Sequence, residues 1–323
     1  MKTSKQGKAK PPQSRFGIGE WYGNLFTQLS AEARRDYGRA SLARSSAPIA
    51  QGPQLPCPFG PKASCNKKSG ACSFRLYQRS HETGEVRPVD GVDGRLRTFC
   101  PRRFEEDGIV YEWIGQKILG CERPYILKEV AFLESPSDTD DSDGKESVGR
   151  IDRILLVPEA TPLKWCAVEF QAVYFSGKGM NDEFLEIINN PSGGIAFPVH
   201  HRRPDWRSSG PKRLMPQLQI KIPTLRRWGK KMAVVVDDGF FGEFGKNMRD
   251  VHHISNCDVA WFVVRYEEHG QRARLVPDSV HLTTLEDSVE GLTAGLAVSM
   301  EVFEERILTQ LKGLSGPSKI TSD

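Results

Sequence analysis

The chain has 323 residues, 38% of them hydrophobic and 27% charged, with a formal net charge of +4. Those values describe one large or two ordinary globular domains, and a mean hydropathy of −0.46 with no long apolar run excludes a membrane span. The excess of positive charge is too small to argue for a polyanionic partner, but its distribution is uneven. Basic residues gather at the N-terminus and between Arg202 and Lys231, and acids gather between Asp138 and Glu146.

In chain order, Met1 to Arg15 is rich in Lys, Ser, Gln and Pro and lacks the apolar stretch of a secretory leader, so it is expected to be a disordered basic tail. Gly17 to Arg39 reads as a helix, with Trp21, Phe26, Leu29 and Ala33 sharing a face. Ser41 to Pro61 reads as loop. Cys57 to Cys100 has few periodic apolar residues and needs a staple to hold it together. A helix is expected from Phe104 to Leu119, with Gly120 as its stop. Tyr125 to Leu133 reads as a strand, followed by a solvated acidic loop with Asp138, Asp140, Asp141 and Asp143.

Val148 to Val157 and Lys164 to Phe175 read as two further strands, each with an acid embedded in apolar chain. Asn181 to Ile188 reads as a short helix capped by Asn181 or Asp182. Basic chain rich in Pro and Gly follows to Leu214. Met232 to Val236 and Val259 to Tyr266 are β-branched and read as buried strands. Leu285 to Leu311 reads as one long amphipathic helix, with Val289, Leu292, Leu296, Met300, Phe303 and Ile307 in line, either core packing or a dimer seam. Short connections predict that the first three strands form a meander, and the later helical crossover predicts parallel pairing of the rest.

The embedded acids carry the chemistry. Burying an unpaired carboxylate is costly, so Asp152 and Glu169 on neighbouring strands call for a partner. A divalent cation held against a phosphodiester is one such partner; a salt bridge to Arg150, Arg153 or Lys128 is the other. Glu169 and Gln171 stand two residues apart and would project from the same strand face. Glu129, on the preceding strand, is expected beside Asp152 as an outer ligand or at a second metal site, with Glu112 competing for that role.

Cys57, Cys65, Cys72 and Cys100 lie in loops rich in Gly and Pro, where thiolates are free to converge on a tetrahedral ion. Seven cysteines in a chain with no export signal favour thiols or metal ligands over disulfides and place the protein in the cytoplasm. Cys121, Cys166 and Cys257 read as incidental thiols. His200, His201, Arg202, Arg203, Arg207, Lys212, Arg213, Arg226, Arg227, Lys230 and Lys231 form a basic stretch suited to phosphates and guanine edges, with Lys62, Lys67, Lys68 and Arg75 adding to it.

An Asp followed on the next strand by Glu-x-Lys is the signature of the PD-(D/E)xK nucleases, and this chain resembles it with Gln171 in place of Lys. Gly149-Arg150-Ile151-Asp152 with Val168-Glu169-Phe170-Gln171-Ala172-Val173-Tyr174 is similar to the NotI-type restriction endonucleases. So are Gly19-Glu20-Trp21-Tyr22-Gly23, the four cysteines, Met215-Pro216-Gln217-Leu218 and Pro223 to Lys230. The resemblance implies an α/β restriction-endonuclease-like core, a central mixed sheet flanked by helices, with an N-terminal four-cysteine module. It also implies a homodimeric type II enzyme cutting double-stranded DNA with Mg2+, partnered by a methyltransferase in the same host. Catalysis would fall to Asp152, Glu169 and Gln171, with Glu129 in support, and the four cysteines would hold structural iron, or zinc in its place. The expected organisation is a tail (1–16), a helix with the cysteine module (17–103), the nuclease core (104–282) and a C-terminal helix (283–323). The alternatives are a repair or structure-specific nuclease on the same fold, and a non-cleaving DNA-binding regulator that uses the cysteine module.

Overall fold

A computed structural model of the chain describes residues 13–45, 55–60, 64–134, 147–293 and 298–312. Two sheets organise it. The first is antiparallel and built from β1 (Gln13–Trp21), β2 (Asn24–Leu25), β3 (Ala71–Arg79), β4 (Val86–Pro88) and β5 (Arg97–Thr98). Its order is β2-β1-β3-β4, with β5 also on β3.

The second sheet is mixed. It contains β6 (Tyr125–Glu134), β7 (Ser147–Val157), β8 (Lys164–Phe170), β11 (Met232–Asp237), β12 (Val259–His269) and β13 (Arg272–Thr283). Between β8 and β11 lies a small antiparallel pair, β9 (Phe175–Ser176) with β10 (Arg203–Pro204). The order in the large sheet is β13-β12-β11-β8-β7-β6. As expected, β6, β7 and β8 form an antiparallel meander, while β8, β11 and β12 run parallel. β13 was not anticipated; it returns antiparallel on β12 through a tight turn at Gly270.

All six residues of β11 are buried, because both faces of the large sheet are covered. Alternation sorts the two faces. Ala167, Val234, Val236 and Trp261 pack with Leu218, Ile222 and Leu225 on one side. Cys166, Val168, Val235 and Phe262 pack with Phe104, Val110 and Ile114 on the other.

The helices are α1 (Ala31–Ser45), α2 (Ile109–Ile114), α3 (Asn181–Asn189), α4 (Trp206–Ser209), α5 (Met215–Arg227), α6 (Asp238–Phe244), α7 (Leu285–Leu292) and α8 (Met300–Lys312). The helix expected at Phe104 to Leu119 is present as α2 flanked by a 3₁₀ turn (Pro101–Gly108) and a π turn (Gly115–Leu119), and Gly120 ends it at φ +65°.

Several expectations are corrected. Gly17 to Trp21 is strand, not helix, and each of these five residues is buried. A side chain at Gly19 would meet Leu96 Cδ2 at 2.5 Å, so this strand is packed too tightly on both sides for helical spacing to apply. The helix starts later, at Ala31. α3 is preceded by Met180, with no side-chain cap from Asn181 or Asp182. The chain from Trp206 to Arg227 is helical where loop was expected to Leu214. The single C-terminal helix is two, α7 and α8, and most of the apolar stripe on α8 is exposed, including Phe303 and Ile307. The acidic segment 135–146 and Lys62 lie outside the described residues. No described helix is long and apolar enough to cross a membrane.

Candidate active site

The β7–β8 ladder runs from Val157–Lys164 to Arg153–Val168 and then opens. One step beyond the last pair stand Asp152 and Glu169. Side chains take over from backbone there: the Asp152 N–H donates to Glu169 Oε1 and the Phe170 N–H donates to Asp152 Oδ2, both at 3.4 Å. The two embedded acids are therefore neighbours, as their strands predict.

Glu169 is 2% exposed and shares its strand face with Ala167, the face on which α5 packs. Burial and the adjacent Asp152 carboxylate push its carboxyl up to about 7, against the pull of Lys221. Lys221 comes from α5. It is buried, and its ammonium donates to Glu169 Oε1 and, at 3.0 Å, to Gln217 Oε1 one turn back.

Lys221 was missed in the sequence because Pro216 and Pro223 disguise α5. The signal was present: Leu214, Leu218, Ile222 and Leu225 form a helical stripe, and Lys221 falls inside it. A lysine within a buried stripe announces a buried acid. None of the salt-bridge partners considered from sequence is the one found. Arg153 and Lys128 turn to Glu105, and Arg150 turns to Glu129.

Gln171 lies one residue past the end of β8. It is buried, its N–H donates to Val235 O at 3.0 Å, and its side-chain amide donates to Ala172 O at 2.6 Å. Glu129 is not brought to the acids. The ladder pairs Lys128 with Arg153 and Val130 with Ile151, but Glu129 between them sits at φ +52°, and its exposed carboxylate meets Arg150 at 3.4 Å. A left-handed backbone at that position breaks the strand pairing that would have aimed it at Asp152. Glu112 is exposed on α2, which packs on the opposite face of the sheet, so it is not part of this cluster either.

Cys57, Cys65, Cys72 and Cys100 are all free and buried. Burial pushes the Cys72 thiol well above its ordinary range, with Glu20 and Cys100 adding to it. Burial also raises Cys100, where Cys65 and Cys57 contribute in the same direction. Cys100 thus lies within electrostatic reach of Cys57, Cys65 and Cys72. Among the described residues, however, no group of three or more His, Cys, Asp or Glu side chains stands assembled to hold a metal ion. Cys166, on β8, and Cys257 are buried and Cys121 is partly so.

The basic stretch divides. Arg202 is buried against Glu183, Arg226 is paired with Asp258 and Glu286, and Lys230 and Lys231 donate to backbone carbonyls. Arg203, Arg207, Lys212 and Arg213 are exposed, and Arg213 lies over the Tyr174 ring at 4.4 Å. His200 bonds to Asp182 at 2.8 Å.

The family model of the restriction endonuclease NotI matches residues 41–276, which include both acids, α5 and all four cysteines. The chain belongs to the NotI restriction endonuclease family. Membership in the NotI family makes it a site-specific endonuclease, a hydrolase whose substrate is double-stranded DNA. Among curated proteins, none matches the chain.

Proposed function

We propose that the protein is a type II restriction endonuclease that hydrolyses both strands of a palindromic DNA site, with Asp152, Glu169 and Gln171 as its catalytic set and Mg2+ as its cofactor. The juxtaposition of Asp152 and Glu169 at the open end of β7 and β8 carries this reading. Two carboxylates from adjacent strands are the hard oxygen donors that Mg2+ takes, since it is commonly bound by one or two carboxylates with waters and substrate phosphate completing the set. When bound, the ion would relieve charge on the scissile phosphate and favour ionisation of a water. Asp152 and Glu169 hold that position, and Glu169 also orients the attacking water. The Gln171 amide, free to leave the Ala172 carbonyl, hydrogen-bonds the water or a phosphate oxygen.

DNA is held by exposed cations. Arg203 and Arg207 line an open cleft of about 790 Å³, and Lys67, Lys68 and Lys178 line another of about 660 Å³ beside Tyr174. A palindromic site calls for two-fold protein symmetry, and the exposed apolar side of α8 supports a homodimer. An enzyme of this kind requires a methyltransferase that protects the host's own copies of the site.

Digestion of a genome of known sequence tests the reading. With Mg2+, discrete fragments sharing one short sequence at their ends are expected. Ends that follow DNA structure rather than sequence point to the repair nuclease, and binding without cleavage points to the regulator.

For the cysteine module we propose a structural metal, iron in the first place and zinc in the second, held by Cys57, Cys65, Cys72 and Cys100. The electrostatic reach of Cys100 to the other three thiols supports it. Metal analysis of protein purified without added zinc is expected to show about one iron or zinc per chain, the usual stoichiometry of a four-thiolate centre. A well-folded preparation with neither defeats the assignment.

A further inference from the structure

We propose that Lys221 is a positioning residue of the catalytic centre: delivered from α5 rather than from β8, its ammonium sets the charge of the acid pair so that the metal-loaded centre attracts a phosphodiester. This rests on the endonuclease reading and adds a residue to it.

The geometry is specific. Lys221 is 6% exposed, and its ammonium bonds the same Glu169 oxygen that accepts the Asp152 N–H. Gln217, four residues earlier on α5, accepts a second bond from it at 3.0 Å, which fixes the ammonium at the site. Leu218, Ile222 and Leu225 bury the same helix face, so Lys221 is carried into the site by packing.

Charge decides what this does. With both carboxyls ionised, as metal binding requires, Asp152 and Glu169 with Lys221 leave one net negative charge. A divalent cation turns that into one net positive charge, which complements the single negative charge of a phosphodiester. Without the ammonium the loaded centre is neutral and has no net pull on the substrate. Gln171, the polar side chain that follows Glu169, carries no charge and cannot supply the difference. Lys221 transfers no proton and forms no bond in this role; it acts by position and charge.

The position also makes the ammonium a competitor of the metal for Glu169 Oε1. Removing it should strengthen metal binding while weakening cleavage, a combination that loss of packing alone does not produce.

The experiment compares wild type, Lys221→Gln, Lys221→Arg and the double variant Gln171→Lys/Lys221→Gln. Single-turnover cleavage is measured at saturating Mg2+, Ca2+ binding by calorimetry without DNA, and folding by thermal melt. Lys221→Gln is expected to cut roughly a hundredfold more slowly, the size of effect seen when one preorganised charge-stabilising donor is lost. It should bind Ca2+ about fivefold more tightly or better, as expected for removing one nearby positive charge in a partly screened site. Lys221→Arg and the double variant should each recover a large part of the lost rate, because each returns a cation to the acid pair.

Folded Lys221→Gln that cuts at nearly the wild-type rate, or binds Ca2+ no more tightly, overturns the proposal. So does a folded Lys221→Arg or double variant that cuts roughly a hundredfold more slowly than wild type, a comparison that decides the question even if Lys221→Gln does not fold. Wild-type protein that cuts no DNA removes the endonuclease reading and this proposal with it, whereas wild type that cuts beside an equally active Lys221→Gln removes this proposal alone.

Discussion

Glu169→Ala is expected to lose duplex cleavage by roughly a thousandfold or more, because removing a carboxylate that anchors a metal sacrifices several kcal/mol of charge stabilisation in the transition state. DNA binding should survive, since the exposed cations at Arg203, Arg207, Lys212 and Arg213 are untouched. Truncating Glu169 also leaves the buried Lys221 ammonium without its counter-charge. Glu169→Gln is therefore the companion variant: it keeps the volume and a hydrogen-bond acceptor for Lys221 while removing the anion. Asp152→Ala should behave like Glu169→Ala in cleavage. It should disturb folding less, because Asp152 is only partly buried and its carboxylate accepts a long bond, 3.4 Å, from the Phe170 N–H. Cleavage of a plasmid and electrophoretic shift of a site-containing duplex, run on the same preparations, check both halves. If Glu169→Ala is folded and cuts at the wild-type rate, the catalytic assignment is wrong.

The largest stability effect is expected at Arg103, outside the catalytic centre. Arg103 and Glu20 are both fully buried, and the guanidinium Nε lies 3.0 and 2.9 Å from the two carboxylate oxygens. Its other nitrogens donate to Glu106 Oε2 at 2.7 Å and to Ala273 O at 2.9 Å, and its plane lies against the rings of Phe59 and Tyr266. One side chain thus joins β1 of the first sheet, the cysteine module at Phe59, and β12 and β13 of the second sheet. Arg103→Ala leaves Glu20 charged and buried without a partner, which costs about 3 to 5 kcal/mol for a broken buried pair. The two sheets should lose their common anchor, and the thiols of Cys57 and Cys100 should become reactive as the module loosens. Urea unfolding and thiol titration under native conditions measure the two consequences. A loss below about 1 kcal/mol, the scale of an exposed ion pair, would mean that the guanidinium does not hold this junction. Replacing both partners with apolar residues of similar volume should cost far less than removing Arg103 alone, because no charge is then stranded.

The two predictions differ in how much of their basis could be read before the fold was known. Asp152 and Glu169 were legible because each interrupts a short β-branched strand, and two strands joined by a short connection are bound to be antiparallel neighbours. Register then brings the acids together at the end of the ladder. The Glu20–Arg103 pair was not legible: its members lie 83 residues apart, and Glu20 sits in chain that helical spacing misassigned. Glu129 failed for a different reason. Its strand and its register position were anticipated, but a left-handed backbone at that single residue turns its side chain to solvent. Gln171 was expected on the strand and lies just past it, because β8 ends at Phe170 as the chain leaves the sheet.

The sequence by itself determined five of the six strands of the large sheet, β13 being the exception, together with the β6–β7–β8 meander, the parallel sense of β8, β11 and β12, and the meeting of Asp152 with Glu169. These depend on side-chain alternation, on the short connections within the meander, and on the helical crossover between β8 and β11. Only the tertiary structure decided that α5 delivers Lys221 to Glu169, that β1 is a strand buried on both sides, and that Arg103 ties the two sheets together. Each of those is a contact between residues far apart in the chain, where the local pattern is weak and the free energy of burying a paired charge settles the outcome.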